Sequence, residues 1–503
     1  MNTLLNAMID ATNYTYTENG ALTHKTTRSD LLDMFAMGGS MRNRFDADII
    51  LMFQKAYIED PIYALKCLFY LRDIKEGQGE RRFFRTCIHW LADQDSEAAK
   101  RNLRHIPLFG RWDDLYAFVG TKLEKEAFDF MKEQLSLDIL SKTPSLLAKW
   151  LKSENTSSKE SRVLGHKTRE AFGMTHKQYR KTLSLLRERI NIVERLMSEN
   201  RWGEIEFDKI PSRAGLIYRN AFARHDIERL AQNNEAQSYK DFITDDTKKV
   251  NAKVLNPVDI ANEIIYEGYL MDEIERAALD KYWNNLKDYY NGREETGIAI
   301  CDVSGSMMGQ PLSAAVSMSA YIAERGKGPF KDHFITFSND PKLVKFEGVD
   351  VFDKFKRAVD AEWGGSTNVE AAMNLILNTA VNNNVPAEDM PEVLYIFSDM
   401  EFNYCLKCGE PSKDLWGRSC KDVENPETFF ESLEKKWEEC GYKLPRVIFW
   451  NLDARQENIP ALGNRFSYVS GFSLNMMEAI FSGKDGFDLM MEKLNSNRYE
   501  VIC

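Results

Sequence analysis

Polar and apolar residues alternate along the first 290 residues with the spacing of helices. Apolar side chains recur every three or four residues over 56–71, 81–91, 183–197 and 259–279, and short breaks such as EGQGE and KIPSRAG separate these stretches. Short helices joined by short loops predict a helical-repeat solenoid or ring, with about six units if one helix pair takes roughly 40–47 residues. An irregular helical bundle is the alternative that this pattern leaves open.

The pattern changes near residue 291, where short apolar runs of strand length begin. Such runs lie at 296–301, 393–397 and 446–451, and helical stretches lie between or after them at 311–324, 369–380, 428–439 and 486–494. Strands that are apolar on both faces and alternate with helices predict a doubly wound, mainly parallel sheet covered on both sides. We therefore predict two domains, a helical domain over residues 1–290 and an α/β domain over residues 291–503.

The composition is that of a globular protein, with 43% hydrophobic and 28% charged residues. A chain of 503 residues exceeds what one hydrophobic core usually organises, which agrees with two domains. The sequence contains no apolar run of about 18 residues, and its N-terminus lacks the basic start and apolar stretch of a secretion signal. Together with eight cysteines spread over a long chain, these features predict a cytoplasmic protein without a membrane partner.

Charge is distributed unevenly between the two predicted domains. Residues 291–503 contain 22 Lys and Arg against 33 Asp and Glu, a net charge of −11, whereas residues 1–290 contain 44 of each sign. Within the first domain, residues 141–190 form a basic band with 12 Lys and Arg against 4 Glu. An acidic domain and a local basic band indicate that the two domains have different partners.

Oxygen-bearing side chains follow the predicted strands of the second domain. The first strand runs into Asp302, Ser304 and Ser306, Thr367 precedes a helix, and the strand at 393–397 runs into Asp399. Hydroxyls and carboxylates are hard donors of the kind that Mg²⁺ prefers. The sequence therefore predicts a site for Mg²⁺ or another divalent cation at one edge of the sheet. A set of capped loops without a metal is the alternative, because Asp and Ser are common turn residues.

The same five residues resemble the metal-ion-dependent adhesion site of the von Willebrand factor A domain. Its signature is DxSxS on the first loop, a threonine on the second and an aspartate on the third, and all five positions are filled here. The resemblance implies that Ser304, Ser306 and Thr367 are direct or near-direct ligands of the metal, while Asp302 and Asp399 hold coordinated waters. It also implies that the metal binds a carboxylate of an acidic protein ligand without changing it chemically.

A catalytic interpretation of these residues finds little support in the sequence. A serine nucleophile needs a basic partner, and His333, at the start of a predicted strand, is the only histidine after residue 290. The sequence has neither a GxSxG nor an HExxH motif. We therefore predict that the protein is not an enzyme, and a hydrolase is the weaker alternative.

A cysteine motif lies in the segment after Asp399. Cys405, Cys408 and Cys420 include the C-x-x-C-G turn of a zinc knuckle, but a fourth ligand is not evident nearby. We interpret them as loop cysteines without a metal, and a zinc site completed by Cys440 or an acidic residue is the alternative.

Several stretches of the helical half resemble a known protein family. Residues 70–85, 110–115, 178–183 and 218–222, taken together with the metal motif, are similar to an uncharacterised group related to the TROVE module of the Ro autoantigen. In Ro-like proteins, a ring of HEAT-type helix pairs is closed by a von Willebrand A domain, and the ring binds RNA. The resemblance thus implies a HEAT-like helical domain, a von Willebrand A-like second domain and RNA as a partner.

The basic band supplies candidate contacts for RNA phosphates. Lys/Arg interleaved with aromatic residues suits small structured RNA or single-stranded ends. We expect one cluster around a helix near Trp150, a second in a loop and a third at the start of the helix that contains Tyr179. The candidate residues are Lys149, Lys152, His166, Lys167, Arg169, His176, Lys177, Arg180 and Lys181. The alternative is that both aromatics are core residues and that the lysines merely cover the outer face.

We expect a non-catalytic, Ro-like RNA-binding protein with a Mg²⁺-dependent adhesion site. A protein-interaction scaffold that uses the repeats and the metal site without nucleic acid is the alternative. Salt dependence separates the two, because binding through phosphates weakens steeply with salt.

Overall fold

The computed structural model describes residues 8, 12–190, 192–267, 271–337, 340–360, 368–403, 412–413, 419–420 and 428–503. The chain forms two compact units that interleave along the sequence. The sheet unit comprises residues 1–67, 256–270 and 288–496, and the helical unit comprises residues 68–255, 271–287 and 497–503. The predicted boundary at residue 290 falls just before the first strand of the large sheet. Residues 1–67 nevertheless belong to the sheet unit, and residues 497–503 belong to the helical unit.

The helical unit is built from short helices with short connections. Its 3₁₀ helices are Trp112–Phe118, Trp202–Glu204, Phe207–Lys209 and Asn497–Tyr499. Its α-helices are Arg81–Gln94, Ser96–Leu103, Ile106–Phe109, Glu124–Leu140, Leu147–Trp150, Lys159–Phe172, His176–Ile190, Val193–Ser198, Ser212–Arg224, Asp226–Gln232, Tyr239–Thr244 and Glu273–Asn284. The helix Pro61–Arg72 contains the boundary between the units at residue 67.

The sheet unit contains a large sheet and the helices that cover it. Its 3₁₀ helices are Gly38–Asn43, Gly305–Met307, Ala387–Asp389 and Leu474–Met476. Its α-helices are Asp30–Met37, Asp46–Glu59, Pro257–Glu267, Gln310–Arg325, Val351–Asp360, Val369–Asn383, Phe429–Glu439, Met477–Ile480 and Gly486–Leu494. Two small antiparallel ribbons pair β1 (Tyr14–Tyr16) with β2 (Leu22–His24), and β7 (Ser412–Lys413) with β8 (Ser419–Cys420).

The large sheet has six strands, with β3 near its centre. The strands are β3 (Gly297–Asp302), β4 (His333–Phe337), β5 (Lys342–Lys345), β6 (Val393–Ser398), β9 (Arg446–Asn451) and β10 (Phe466–Ser470). Their order is β10-β9-β6-β3-β4-β5, and every neighbouring pair is parallel except β4 with β5. Because the chain passes from β3 to β4 on one side and later to β6 on the other, the connections diverge between β3 and β6. Ligand sites of such sheets lie at the carboxyl ends of the strands at this point.

Burial explains why these strands are apolar on both faces. All six residues of β6 are buried, and so are five of six in both β3 and β9. The helix Gln310–Arg325 is buried from Pro311 to Ala323 and packs against β3. A helical region followed by a mainly parallel sheet confirms the predicted α plus α/β fold class. Among the described residues, none of the helices combines the length and apolar character that a membrane span requires.

The structure corrects some element boundaries. The pattern over 56–71 belongs to two helices, Asp46–Glu59 and Pro61–Arg72. They separate at Asp60, which has extended backbone (φ −152°, ψ 105°), because a residue before proline avoids the helical conformation. The loop expected around His166 is also wrong, since this residue lies within the helix Lys159–Phe172. Ser158 caps the start of that helix, and Gly173, in the left-handed conformation, ends it.

Two predictions from the sequence, on the cysteine motif and on the repeat order, stay predictions. Cys405 and Cys408 are outside the described residues, and Cys420 is placed only as part of β8. The zinc knuckle alternative is therefore unchanged. The HEAT-like repeat order of the helical unit also stays a prediction.

Candidate functional site

The predicted metal residues lie at the carboxyl ends of β3 and β6, where the strand connections diverge. Asp302 is the last residue of β3 and is 0% exposed, and Asp399 follows β6 directly and is 1% exposed. Ser304 is also buried, and Ser306 lies in the short 3₁₀ helix after it. Thr367 is outside the described residues. The parallel sheet thus brings together the two loops that carry four of the five predicted ligands.

Hydrogen bonds connect these four residues. The Asp302 carboxylate accepts from the Ser304 backbone N–H at 2.9 Å and from the Ser398 hydroxyl at 2.6 Å. The hydroxyl oxygens of Ser304 and Ser306 are 2.9 Å apart. Asp399 accepts from the backbone N–H of Glu401 at 3.1 Å through Oδ1. The loops are therefore held by their own backbone and hydroxyl groups, which leaves oxygen lone pairs for a ligand.

Asp399 carries an oxygen without a hydrogen-bond partner. Its Oδ2 atom is buried and accepts no hydrogen bond from any described residue. The Nε atom of the Arg455 guanidinium lies 3.7 Å from this oxygen. A buried carboxylate oxygen without a hydrogen bond is costly, because it has lost water without replacement. This oxygen is suited to a metal ion or to a water that a metal holds.

The electrostatics of the pair favour a cation. Burial and then the charge of Asp399 raise the pKa of Asp302 to about 7. Burial also raises the pKa of Asp399, against the opposing hydrogen bond from Ser306. Two carboxyls that resist ionisation together are stabilised in their charged form by a divalent ion between them. The oxygen donors, the carboxylate oxygen without a hydrogen bond and the two neighbouring carboxyls all fit Mg²⁺.

Further acidic groups, which the motif did not include, lie around the site. Glu401 is buried, and burial raises its pKa to about 7. Its carboxylate accepts from the Glu18 backbone N–H and from the Asn458 amide, both at 2.7 Å. Arg455 lies 3.8 Å from Asp453 and donates to the Ser306 carbonyl at 2.5 Å. The position of Glu401, two residues after Asp399, is the feature of the sequence that could have indicated these additional groups.

Most of the predicted RNA-binding residues form ion pairs within the helical unit. Lys149 is 3.3 Å from Glu194, Lys152 is 3.7 Å from Asp113 and Lys167 is 3.1 Å from Glu124. His166, Arg169 and His176 all contact the carboxylate of Glu154. Burial raises the pKa of Glu154, but hydrogen bonds from His176, Arg169 and His166 outweigh it and lower the pKa below its ordinary value. Much of the basic band is therefore neutralised by carboxylates that are close in space, although some of them are distant in the sequence.

Three predicted residues keep their charge exposed. Lys177, Arg180 and Lys181 lie on the first two turns of the helix His176–Ile190, and all three side chains are exposed. No carboxylate of the described chain lies within ion-pair distance of them. Lys177 and Arg180 line a cavity of about 820 Å³ together with Arg187 and Arg195. Arg195 is paired with Glu188 and Glu199, so Lys177 and Arg180 supply the unpaired positive charge that the predicted set brings to this cavity.

The two aromatic residues of the band differ in position. Tyr179 is 1% exposed, and its hydroxyl donates to the Lys152 carbonyl at 2.8 Å, so it is a core residue. Trp150 is half-buried, and the Arg111 guanidinium stacks on it at 4.5 Å from the ring centroid. Tyr179 therefore has no exposed face for a base, whereas Trp150 is partly accessible.

An arginine cluster near Trp150 was missed by sequence reasoning. Arg72 and Arg85 bind Asp114 at 2.7 Å each, whereas Arg81 and Arg111 have no carboxylate within 4 Å among the described residues. Burial and then the charge of Arg81 lower the pKa of Arg111 to about 10. Asp73, next to Arg72 in the sequence, binds Arg498 instead of this cluster.

Comparisons with known proteins agree with this organisation. The family described as Domain of unknown function (DUF2828) matches residues 17–171 and 136–291, and Domain of unknown function (DUF7788) matches residues 296–501. An uncharacterised protein of Acanthamoeba polyphaga mimivirus is 29% identical over 514 residues, which cover 94% of this chain and 85% of that protein. The predicted similarity to an uncharacterised family is confirmed.

A solved structure also matches most of the chain. The crystal structure of the Deinococcus radiodurans RO (RSR) protein is similar with a TM-score of 0.47 and 12% sequence identity. The match covers 93% of this chain and 99% of that one.

Proposed function

The chain belongs to the family described as Domain of unknown function (DUF2828), and from this premise we propose that it is a non-catalytic, Ro-like RNA-binding protein. The helical unit contacts RNA phosphates through Lys177, Arg180 and Lys181. The observation that carries the proposal is that these three cations are exposed, lie on one helix and have no carboxylate partner among the described residues. Unneutralised Lys and Arg on a common surface are what phosphate binding requires.

The cavity beside this helix supports the same proposal. Its lining contains four basic residues against the carboxylates of Glu154 and Glu194. A concave surface with excess positive charge attracts an anionic chain and concentrates it locally. The cavity is large enough for a few nucleotides, which agrees with single-stranded ends or small structured RNA as ligands.

The first prediction concerns this surface. We expect the triple variant K177E/R180E/K181E to bind a single-stranded RNA oligonucleotide at least about tenfold more weakly than the wild type at low salt. The slope of log affinity against log salt should fall by about 2, since each phosphate contact to a single strand contributes about 0.7. Fluorescence anisotropy at several salt concentrations measures both quantities.

A matched control separates local contacts from net charge. The variant K248E/K249E/K253E changes the charge of the same unit equally at three other exposed lysines. We expect it to retain most of the affinity and the wild-type slope. If both variants lose affinity equally, or if the wild type binds no RNA, the protein-interaction scaffold becomes the better interpretation.

We also propose that Asp302, Ser304, Ser306 and Asp399, together with Thr367, hold a Mg²⁺ ion that binds an acidic protein ligand. The hydroxyls would ligate the metal, and the two carboxylates would hold its waters. The Oδ2 atom of Asp399, which has no hydrogen-bond partner among the described residues, and the repulsion between the two carboxyls support this proposal. When bound, the ion would supply an open coordination position for a carboxylate of the partner.

The second prediction tests the metal site in the full-length chain. The isosteric variant D302N/D399N should bind Mn²⁺, used as a paramagnetic substitute for Mg²⁺, at least about tenfold more weakly by electron paramagnetic resonance. The variant D389N, which changes an exposed aspartate of the same unit, should bind as the wild type does. Equal binding by all three proteins would remove the adhesion-site role and leave the RNA proposal intact.

The cellular location is part of the proposal. Cys67, Cys87 and Cys301 are free and buried, and Cys440 and Cys503 are free and exposed. Free thiols on the surface agree with a reducing compartment. We therefore propose a cytoplasmic location.

A further inference from the structure

Three side chains from separate segments converge at the edge of the basic band. Glu154 lies in the loop before the helix Lys159–Phe172, His166 lies within that helix, and His176 is the first residue of the next one. The Nδ1 atom of His166 is 2.6 Å from Oε1 of Glu154, and the Nδ1 atom of His176 is 2.9 Å from Oε2. The sequence suggested phosphate contacts for both histidines and offered no role for Glu154.

The arrangement brings together one ligand atom from each residue. These three atoms all lie within 4.8 Å of one another. Imidazole nitrogen and carboxylate oxygen are standard ligands of Zn²⁺, and sites with two histidines and one glutamate leave a fourth position open. The placement of the three ligands also suits a metal, because two helices and a loop hold them from different directions.

The surroundings support the carboxylate as a ligand. The Glu154 side chain is only 10% exposed, and Arg169 donates to its Oε1 atom at 2.8 Å. Partners of this kind hold a ligating carboxylate in place and are common behind metal ligands.

Each imidazole can also bind a metal through Nδ1 once that nitrogen carries no proton. The His166 and His176 side chains are 49% and 71% exposed, so an Nε2–H on either ring can be hydrated. Each Nδ1 would then offer its lone pair to a metal in place of the proton that it now shares with Glu154. The two rings are arranged edge to face with centroids 6.0 Å apart, so they do not block one another.

We propose that Glu154, His166 and His176 bind one Zn²⁺ ion, with an open coordination position occupied by water beside the basic cavity. Glu154 and His176 belong to the lining of that cavity. Zinc is favoured over Mg²⁺ because two of three ligands are imidazoles. The ion would join the loop before Lys159 to two helices, and so stabilise the part of the helical unit that carries Lys177 and Arg180. This site is independent of RNA binding and of the adhesion site.

The test uses the full-length chain after treatment with a chelator, in excess Mg²⁺ so that the adhesion site does not take up zinc. Isothermal titration calorimetry with Zn²⁺ as the titrant should show one equivalent bound with micromolar or tighter affinity, and elemental analysis checks the stoichiometry. Co²⁺ in place of Zn²⁺ should give weak visible bands of a four-coordinate site without the intense near-ultraviolet band of thiolate ligands. That difference excludes the cysteines as the source of binding.

Substitutions assign the ligands. His166→Asn and His176→Asn keep a hydrogen-bond donor near the position of Nδ1 but remove the imidazole, and the double variant should bind Zn²⁺ at least about 100-fold more weakly. His89→Asn is the matched control, since His89 is exposed in the same unit and its Nδ1 contacts the Ala117 carbonyl at 2.7 Å. It should bind as the wild type does.

Two results would overturn the proposal. One is a wild-type chain that takes up no Zn²⁺ under these conditions, and the other is undiminished binding by the double variant. Because the titration contains no RNA, either result leaves the RNA proposal as it stands. Conversely, loss of RNA binding in K177E/R180E/K181E with normal Zn²⁺ uptake would separate the two sites.

Discussion

Asp33 is a buried carboxylate whose charge the fold tolerates only with local help. It is 7% exposed and accepts hydrogen bonds from the backbone N–H and the hydroxyl of Thr27, both at 2.7 Å, and from the Thr26 hydroxyl. Burial nevertheless dominates and raises its pKa from 3.8 to about 6. The folded protein therefore binds this proton more tightly than the unfolded chain does.

The third prediction follows from that shift. The stabilisation from a protonated Asp33 is complete below pH 4 and is lost as the pH rises through 6. Between pH 4 and 7 the free energy of unfolding of the wild type should fall relative to that of D33N by at most about 3 kcal/mol. Urea unfolding of both proteins at the two pH values measures this difference, in which other titrating groups cancel. A difference that does not change with pH would contradict the prediction.

At the scale of elements, the helix His176–Ile190 shows how one segment serves both stability and binding. Tyr179, Leu183 and Leu186 form its buried face at helical spacing, while the basic residues at 177, 180 and 181 are exposed. The apolar face fixes the rotation of the helix, and that rotation decides which cations face the solvent.

The fourth prediction tests the division between these two faces. Tyr179→Phe removes one hydrogen bond, from the tyrosine hydroxyl to the Lys152 carbonyl, and should lower the free energy of unfolding by about 1 kcal/mol. Because the ring itself is buried, RNA affinity should not change. Anisotropy and thermal unfolding of the same preparation measure both quantities. Weaker RNA binding with unchanged stability would instead show that the Tyr179 hydroxyl contacts RNA.

At the scale of the whole molecule, the last residues of the chain complete the helical unit. Arg498 binds the buried carboxylate of Asp73 with two hydrogen bonds, at 2.5 Å and 2.8 Å, and the Tyr499 hydroxyl lies 3.2 Å from the same group. The Cys503 backbone N–H donates to the Asn102 side-chain oxygen at 3.0 Å, and the Asn102 amide donates to the Cys503 carbonyl. A segment beyond the sheet unit thus satisfies polar groups more than 400 residues earlier in the sequence.

The fifth prediction concerns this segment. Arg498→Ala leaves the Asp73 carboxylate buried without its charged partner, which should lower the stability of the helical unit by about 3 kcal/mol. Hydrogen exchange measured by mass spectrometry should show faster exchange around residues 68–115, with little change in β3 and β6. Arg224→Ala, which removes an exposed arginine of the same unit, should have no comparable effect. Uniform loss of protection over the whole chain would contradict the prediction.

The sequence by itself determined the local features of this protein. The helices Arg81–Gln94 and Gly486–Leu494 and the strands β3, β6 and β9 follow their expected ranges closely, because helix and strand periods of apolar residues are local properties. The positions of Asp302 and Asp399 at strand ends followed from the same patterns together with the order of parallel sheets. The fold class and the family could therefore be predicted without coordinates.

Only the tertiary structure decided which charges remain free and which residues complete each site. Whether Lys149 or Lys177 is neutralised depends on carboxylates brought close by packing, and Glu154 gained two histidine partners 12 and 22 residues away in this manner. The pattern of hydrophobicity could not assign residues 1–67 to the sheet unit or residues 497–503 to the helical unit. The physical reason is that periodicity reports which side of an element is buried, whereas ion pairs and buried carboxylates depend on the neighbour that covers it.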